Sequence, residues 1–187
     1  MRLLVAALEA ELVAFPPTLP GFQRLVTGPG KLQGAVALTR ALDALGRECE
    51  EIVVVGTAGA LDDGLEASVY EIGATIQHDV SDIDGIVGQH VSLPARLELP
   101  RDGVTIATGD HFVDDADAVE RIRALDARLV DMETYAYVWT AQEFGVPVRV
   151  LKAVSDRAQD GARYDWHDAV TACSVLLRDR IRELYAV

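Results

Sequence analysis

Cysteine is almost missing from this chain. Cys49 and Cys173 are the only two, and they show neither a disulfide framework nor metal-ligand spacing. A reducing cytoplasm is the simplest setting for such a protein. Long apolar runs are also missing; none approaches the roughly 20 residues of a membrane-spanning helix. The opening Met1-Arg2-Leu3-Leu4-Val5-Ala6-Ala7-Leu8 has the look of a signal start, but Glu9 and Glu11 interrupt it too early. Cations are scarce: 17 lysines and arginines face 30 aspartates and glutamates, a net charge of −13. Such a chain repels nucleic-acid backbones and anionic membranes, so neither is expected as a partner. A nucleoside-sized ligand is compatible with that charge. Aromatic residues make up only 6% while half the chain is apolar, so Ala, Val and Leu must build the core, as in packed helix-sheet layers. At 187 residues there is enough chain for one domain with a full core.

What is present is an alternation of strands and helices. Strands are expected at Arg2 to Ala7, Phe22 to Thr27, Ile52 to Val55, residues 72 to 78, residues 104 to 108, Leu129 to Val130 and residues 147 to 154. Helices are expected at Glu9 to Phe15, stopped by Pro16 and Pro17, and at Leu32 to Leu45, residues 116 to 125, Glu133 to Phe144, and Trp166 to Tyr185. Gly28-Pro29-Gly30 reads as a turn, and residues 85 to 103 as a long loop. The alternation predicts a single α/β domain with a mostly parallel sheet.

Polar residues cluster where these strands end, which is where an α/β sheet presents side chains to a ligand. Glu9 and Glu11 follow the first strand; an acidic first helical turn would explain them equally well. Gly56-Thr57-Ala58-Gly59 follows an apolar strand and lets the backbone approach a ligand, or is a tight strand-to-loop turn. It matches neither a dinucleotide fingerprint nor a P-loop. Phe112, in Thr108-Gly109-Asp110-His111-Phe112-Val113, could stack on a flat heterocycle or belong to the core. Gln77-His78-Asp79 has no third ligand at metal spacing and reads as a strand-end polar cluster. Asp131, Glu133 and the pair Ser155-Asp156 sit where helix-capping acids would, or where a small polar substrate would meet one acid that holds it and another that protonates it.

In their order along the chain, these fragments resemble the nucleoside phosphorylase/nucleosidase superfamily, on the branch of methylthioadenosine/S-adenosylhomocysteine nucleosidases. The resemblance rests most sharply on Asp131-Met132-Glu133 and Ser155-Asp156, supported by Ala7-Leu8-Glu9-Ala10-Glu11, Thr27-Gly28-Pro29-Gly30-Lys31, Gly56 to Leu61, and Gly109 to Val113. It implies a single-domain, three-layer α/β sandwich around a mixed, mostly parallel sheet, working as a homodimer or higher homo-oligomer without metal or cofactor. It also implies hydrolysis of the N-glycosidic bond between ribose and adenine. By the same resemblance Glu11 activates the attacking water and Asp156, oriented by Ser155, protonates N7 of the leaving purine. Glu133 holds the ribose hydroxyls and Met132 packs on the sugar. Phe112 stacks on adenine, and the Val113 backbone reads its edge. Thr57 and Lys152 fall in the water or anion region. The departing base leaves an oxocarbenium-like sugar, which nearby negative charge stabilises.

Phosphorylases of that superfamily hold phosphate with arginines in the glycine loop after the second strand and just before the later glycine turn. Here those places read Gly28-Pro29-Gly30-Lys31 and Val53-Val54-Val55, which favours water as nucleophile. The chain is shorter than is usual for the family. Leu8, Tyr164 and Trp166 are candidates for an apolar channel beside the 5′ substituent. The alternatives are a phosphorylase, a nucleosidase for another purine compound such as a futalosine-like molecule, and a non-catalytic nucleoside-binding protein.

Overall fold

The computed structural model describes residues 1–158 and 162–187, and the side chains of all of these except 162–165. The strands are β1 (Arg2–Ala6), β2 (Phe22–Val26), β3 (Glu51–Ala60), β4 (Val69–Gln77), β5 (Arg96–Glu98), β6 (Val104–Thr108), β7 (Leu129–Asp131) and β8 (Val148–Asp156). The α-helices are α1 (Lys31–Leu45), α2 (Ala116–Arg123), α3 (Thr134–Glu143) and α4 (Ala162–Tyr185).

The two-residue repeat of strand side chains builds two cores at once. In β1, Leu3 and Val5 face one core and Leu4 and Ala6 the other; in β3, Ile52 and Val54 oppose Val53 and Val55. In β8, Val148 and Val150 oppose Leu151 and Ala153. Helices α1 and α3 cover the first core with Leu38, Leu42, Tyr137 and Val138. Helix α4 covers the second with Cys173, Leu177 and Ile181. The result is a sheet between two helical layers, each buried Leu, Ile or Val being worth about 1.5–3 kcal/mol of transfer free energy. The sheet is mixed and mostly parallel: β1–β2, β1–β3, β3–β8, β4–β6 and β6–β7 run parallel, and β3–β7, β4–β5 and β4–β8 antiparallel. These pairings close β3, β8, β4, β6 and β7 into a ring, which brings the ends of β3, β6, β7 and β8 to one place. Among the described residues no helix is long and apolar enough to cross a membrane.

Several elements differ from their sequence expectation. The helix expected at Glu9 to Phe15 is one 3-10 turn, Glu9–Leu12, because the Glu11 side chain folds back onto the Ala7 and Leu8 amides. Gly56-Thr57-Ala58-Gly59 lies inside β3, whose parallel pairing with β8 continues through these residues and shifts register at Ala58/Gly59. The segment expected as a loop from 85 to 103 contains β5, paired with Ala74–Ile76. Tyr164 has its side chain outside the described residues.

Where α1 crosses α3, a Cβ on Gly34 would come within 2.9 Å of Tyr137 Cε1. Tyr137 is 1% exposed, and its hydroxyl lies 2.6 Å from Thr27 Oγ1. Helix propensity alone favours Gly34→Ala by about 1 kcal/mol, but overpacking a fixed ring costs about 1–3 kcal/mol. The variant is therefore expected to unfold at lower urea, by about 1 kcal/mol. A raised midpoint would show that Tyr137 yields.

Candidate active site

The ends of β3, β6, β7 and β8 and the turns after β1 and β2 enclose a cavity of about 270 Å³. Its lining includes Glu11, Thr57, Phe112, Val113, Met132, Glu133, Ser155 and Asp156, which are distant in the chain and were each expected at a site. Leu8 and Trp166, expected beside the 5′ substituent, line it too. Lys152 does not line it; the side chain is 3% exposed and lies behind the wall, with Nζ 2.9 Å from Asp131 Oδ2. His78 and Asp79 lie outside this cavity. Asp79 is occupied by Lys31 Nζ at 2.6 Å and by the Asp110 amide at 2.8 Å. Among the described residues no group of three or more His, Cys, Asp or Glu is placed to hold a metal ion.

Each carboxylate is held differently. Glu11 Oε2 accepts from the amides of Ala7 at 3.1 Å and Leu8 at 3.0 Å, and Oε1 accepts from the Thr57 amide at 2.7 Å and hydroxyl at 3.0 Å. A Cβ on Gly56 would stand 2.9 Å from Glu11 Oε1 and 3.0 Å from Lys152 Nζ. One on Gly59 would stand 3.0 Å from Asp156 Oδ1. The two glycines of β3 thus leave room for the acids. Asp156 Oδ2 accepts from Ser155 Oγ at 2.7 Å, and Oδ1 from the Ala158 amide at 2.9 Å. Ala158 adopts φ 51°, a left-handed conformation that an alanine reaches only under constraint.

Helix capping explains Asp131 and not Glu133. Asp131 Oδ2 accepts from the Thr134 amide at 3.0 Å and hydroxyl at 2.5 Å, and Oδ1 from Thr108 Oγ1 at 2.7 Å. Glu133 occupies the cap position of α3 without capping it. Its Oε1 instead accepts the Gly30 amide at 2.7 Å from across the cavity mouth. Sequence reasoning missed these backbone donors, Gly30, Ala7, Leu8 and Ala158, because an amide carries no residue-type signal. It also missed Tyr137, which braces Thr27 at the foot of the glycine turn.

Glu11, Asp131 and Glu133 crowd around one buried cation, Lys152. Burial alone would lower the lysine's pKa, but Asp131, Glu133 and Glu11 outweigh it and hold the pKa above its ordinary value. Glu133 is pushed from 4.5 up to about 7, first by desolvation and then by the charge of Asp131, against the opposing pull of Lys152 and the Gly30 amide. Between those two pH values the folded protein holds a proton on Glu133 that the unfolded chain has released. Stability is therefore lost as pH rises through this window, by about 3 kcal/mol over the whole of it. Glu133→Gln removes this titration. Between pH 4.5 and pH 7 the variant's urea midpoint is expected to fall less than the parent's. Parallel profiles for the two proteins would refute the placement of this proton.

Comparison with known proteins adds to this geometry. A family model described as "Phosphorylase superfamily" matches residues 92–185. A 5′-methylthioadenosine/S-adenosylhomocysteine nucleosidase of Bacillus subtilis (strain 168) is 31% identical over 157 residues, covering 72% of this chain and 67% of that protein. A nucleosidase of the same name from Marinomonas sp. (strain MWYL1) is 30% identical over the same shares of the two chains. Among solved structures, the futalosine hydrolase of Helicobacter pylori strain 26695 superposes with a TM-score of 0.89 at 20% identity, covering 99% of this chain and 97% of that one. The S. pneumoniae 5′-methylthioadenosine/S-adenosylhomocysteine nucleosidase does so with a TM-score of 0.80 at 23% identity, covering 94% of each. At these identities the solved structures establish a shared fold. With the family model and the nucleosidase relatives, they make this chain a member of the phosphorylase superfamily.

Proposed function

We propose that the protein hydrolyses the N-glycosidic bond of an adenine nucleoside carrying a 5′-thio substituent, such as methylthioadenosine or S-adenosylhomocysteine, and releases adenine. One observation carries this reading: Glu11, Glu133 and Asp156 converge on a single cavity that no lysine or arginine lines among the described residues. A phosphate nucleophile needs cations there, and the nearest buried one, Lys152, is taken by Asp131. The similarity to curated nucleosidases supports water as nucleophile.

In this reading Phe112 stacks on adenine beside Val113, and Met132 packs on the sugar. Glu133 accepts hydrogen bonds from the ribose hydroxyls. Asp156, oriented by Ser155, donates a proton to N7, so that the protonated base takes the electron pair of the breaking C–N bond and leaves as neutral adenine. Negative charge along the cavity floor stabilises the oxocarbenium-like sugar. Glu11 takes a proton from water as its oxygen bonds to the anomeric carbon. A cytoplasmic setting and a homo-oligomeric state belong to the same proposal; Ile83, Ile86, Val87 and Val91 are exposed, an apolar stretch that a second copy of the chain would cover.

The test is to incubate the protein with methylthioadenosine, S-adenosylhomocysteine, adenosine and a futalosine-like nucleoside and follow the free base. Asp156→Asn keeps the shape and removes the acid; turnover should fall about 10²–10⁴-fold, which is roughly 3–5 kcal/mol of barrier. Near-normal turnover would remove Asp156 from the role. Glu11→Gln should abolish turnover while leaving adenine-analogue binding largely intact, and the parent's rate should not depend on phosphate. Sugar-1-phosphate accumulating in proportion to phosphate would establish a phosphorylase instead.

A further inference from the structure

Trp166, in the first turns of α4, reaches the candidate cavity through a polar contact. Trp166 Nε1 lies 2.8 Å from Thr57 Oγ1, and Thr57 Oγ1 lies 3.0 Å from Glu11 Oε1. Donor and acceptor inventory fixes the direction of this chain. An indole N–H can only donate, so the Thr57 oxygen accepts from it. The single hydroxyl proton of Thr57 is then committed to the Glu11 carboxylate, which can only accept when ionised. Both links join separate elements, since Trp166 belongs to α4, Thr57 to β3 and Glu11 to the turn after β1.

We propose that Trp166 is a positioning residue for Glu11, acting through the Thr57 hydroxyl. The proposal rests on the nucleosidase reading, in which Glu11 takes the proton of the attacking water. Glu11 meets four donors: the amides of Ala7, Leu8 and Thr57, and this hydroxyl. The three amides are fixed by the backbone, and the hydroxyl alone is a rotor. Trp166 sets that rotor and so sets how the carboxylate plane faces the cavity. A phenylalanine at 166 would fill the same wall with no such control. The contact also ties Glu11 to a helix that is anchored in the second core by Cys173, Leu177 and Ile181, so the acid is braced from a layer it does not belong to.

Four variants, read by kinetics, and one spectrum test this. Trp166→Phe keeps the aromatic wall and removes the N–H. It should lower kcat about tenfold with KM within about twofold of the parent. Thr57→Val should lower kcat by a similar factor, and the Trp166→Phe/Thr57→Val double variant no further, because both break one chain. Thr57→Ser, which keeps the hydroxyl, should recover most of the kcat that Thr57→Val loses. Losses that multiply in the double variant, or a raised KM at unchanged kcat after Trp166→Phe, would reduce Trp166 to a wall and overturn the proposal. Independently of turnover, the indole N–H resonance that disappears in Trp166→Phe should move upfield in Thr57→Val and shift in Glu11→Gln. A resonance indifferent to both would overturn the proposal too. If the parent releases base from no nucleoside, the nucleosidase reading fails, while the spectrum still decides whether the chain from Trp166 to Glu11 exists.

Discussion

Everything at this site depends on a single buried ammonium group. Lys152 reaches Asp131 at 2.9 Å with both side chains almost fully buried, and Glu133 and Glu11 share its field. Removing such charges from water costs several kcal/mol per ion, and one lysine cannot neutralise three carboxylates. The structure offsets part of this cost with donors. Asp131 is surrounded by Thr108, Thr134 and Lys152, and Glu11 by three amides and a hydroxyl. Among the described residues Glu133 receives a hydrogen bond only from the Gly30 amide, and its pKa is the one pushed up. The acid with the fewest protein partners is thus the one that faces the cavity with acceptor capacity to spare.

In the proposed reaction that imbalance has a chemical use. A cavity floor holding more negative than positive charge is unfavourable when empty and favourable when a cationic sugar ring forms above it, which is preorganisation in the sense of fixed charges awaiting a developing one. Lys152 keeps the imbalance tolerable without spoiling it, because it stands behind the wall and outside the cavity. Placed at the surface of the cavity, the same ammonium would oppose the oxocarbenium ion and attract a phosphate. The position of one lysine, a few ångströms behind Asp131, therefore bears on both the stability of the fold and the choice of nucleophile.

Much of this was legible in the sequence. The alternation of apolar runs pointed to one α/β domain with a mostly parallel sheet, and α1, α3 and α4 fall close to their expected ranges because each carries a long amphipathic or apolar pattern. Met132-Glu133 and Ser155-Asp156 were visible because acids at the ends of apolar strands are expensive to bury. The failures have a common cause. Gly56 and Gly59 read either as a close approach to a ligand or as a tight turn after the strand; β3 instead runs through them, because Glu11, Lys152 and Asp156 fill the space their side chains would occupy. Strand β5, three residues long, has no pattern of its own and exists because β4 offers it an edge. The functions of Asp131 and Glu133 could not be told apart two residues from one another, since only the turn of the chain into α3 decides which one caps the helix.

Ala158 shows how far a site can depart from local rules. An alanine at φ 51° forgoes on the order of 1 kcal/mol or more, and nothing in Asp156-Arg157-Ala158 announces it. What holds it there is visible in space. Its amide donates to Asp156 Oδ1, while its methyl group is fully buried in a small hydrophobic cluster with Leu61, Val113 and Val130, apart from the two main cores. Glycine would relieve the strain but would lose that packing and loosen the amide. The strained alanine therefore joins the acid to the hydrophobic interior: burial of its methyl group holds the Ala158 amide on Oδ1, and Ser155 holds Oδ2. Two neighbours within two residues of Asp156 thus help to orient it, and the hydrophobic interior keeps one of them in place.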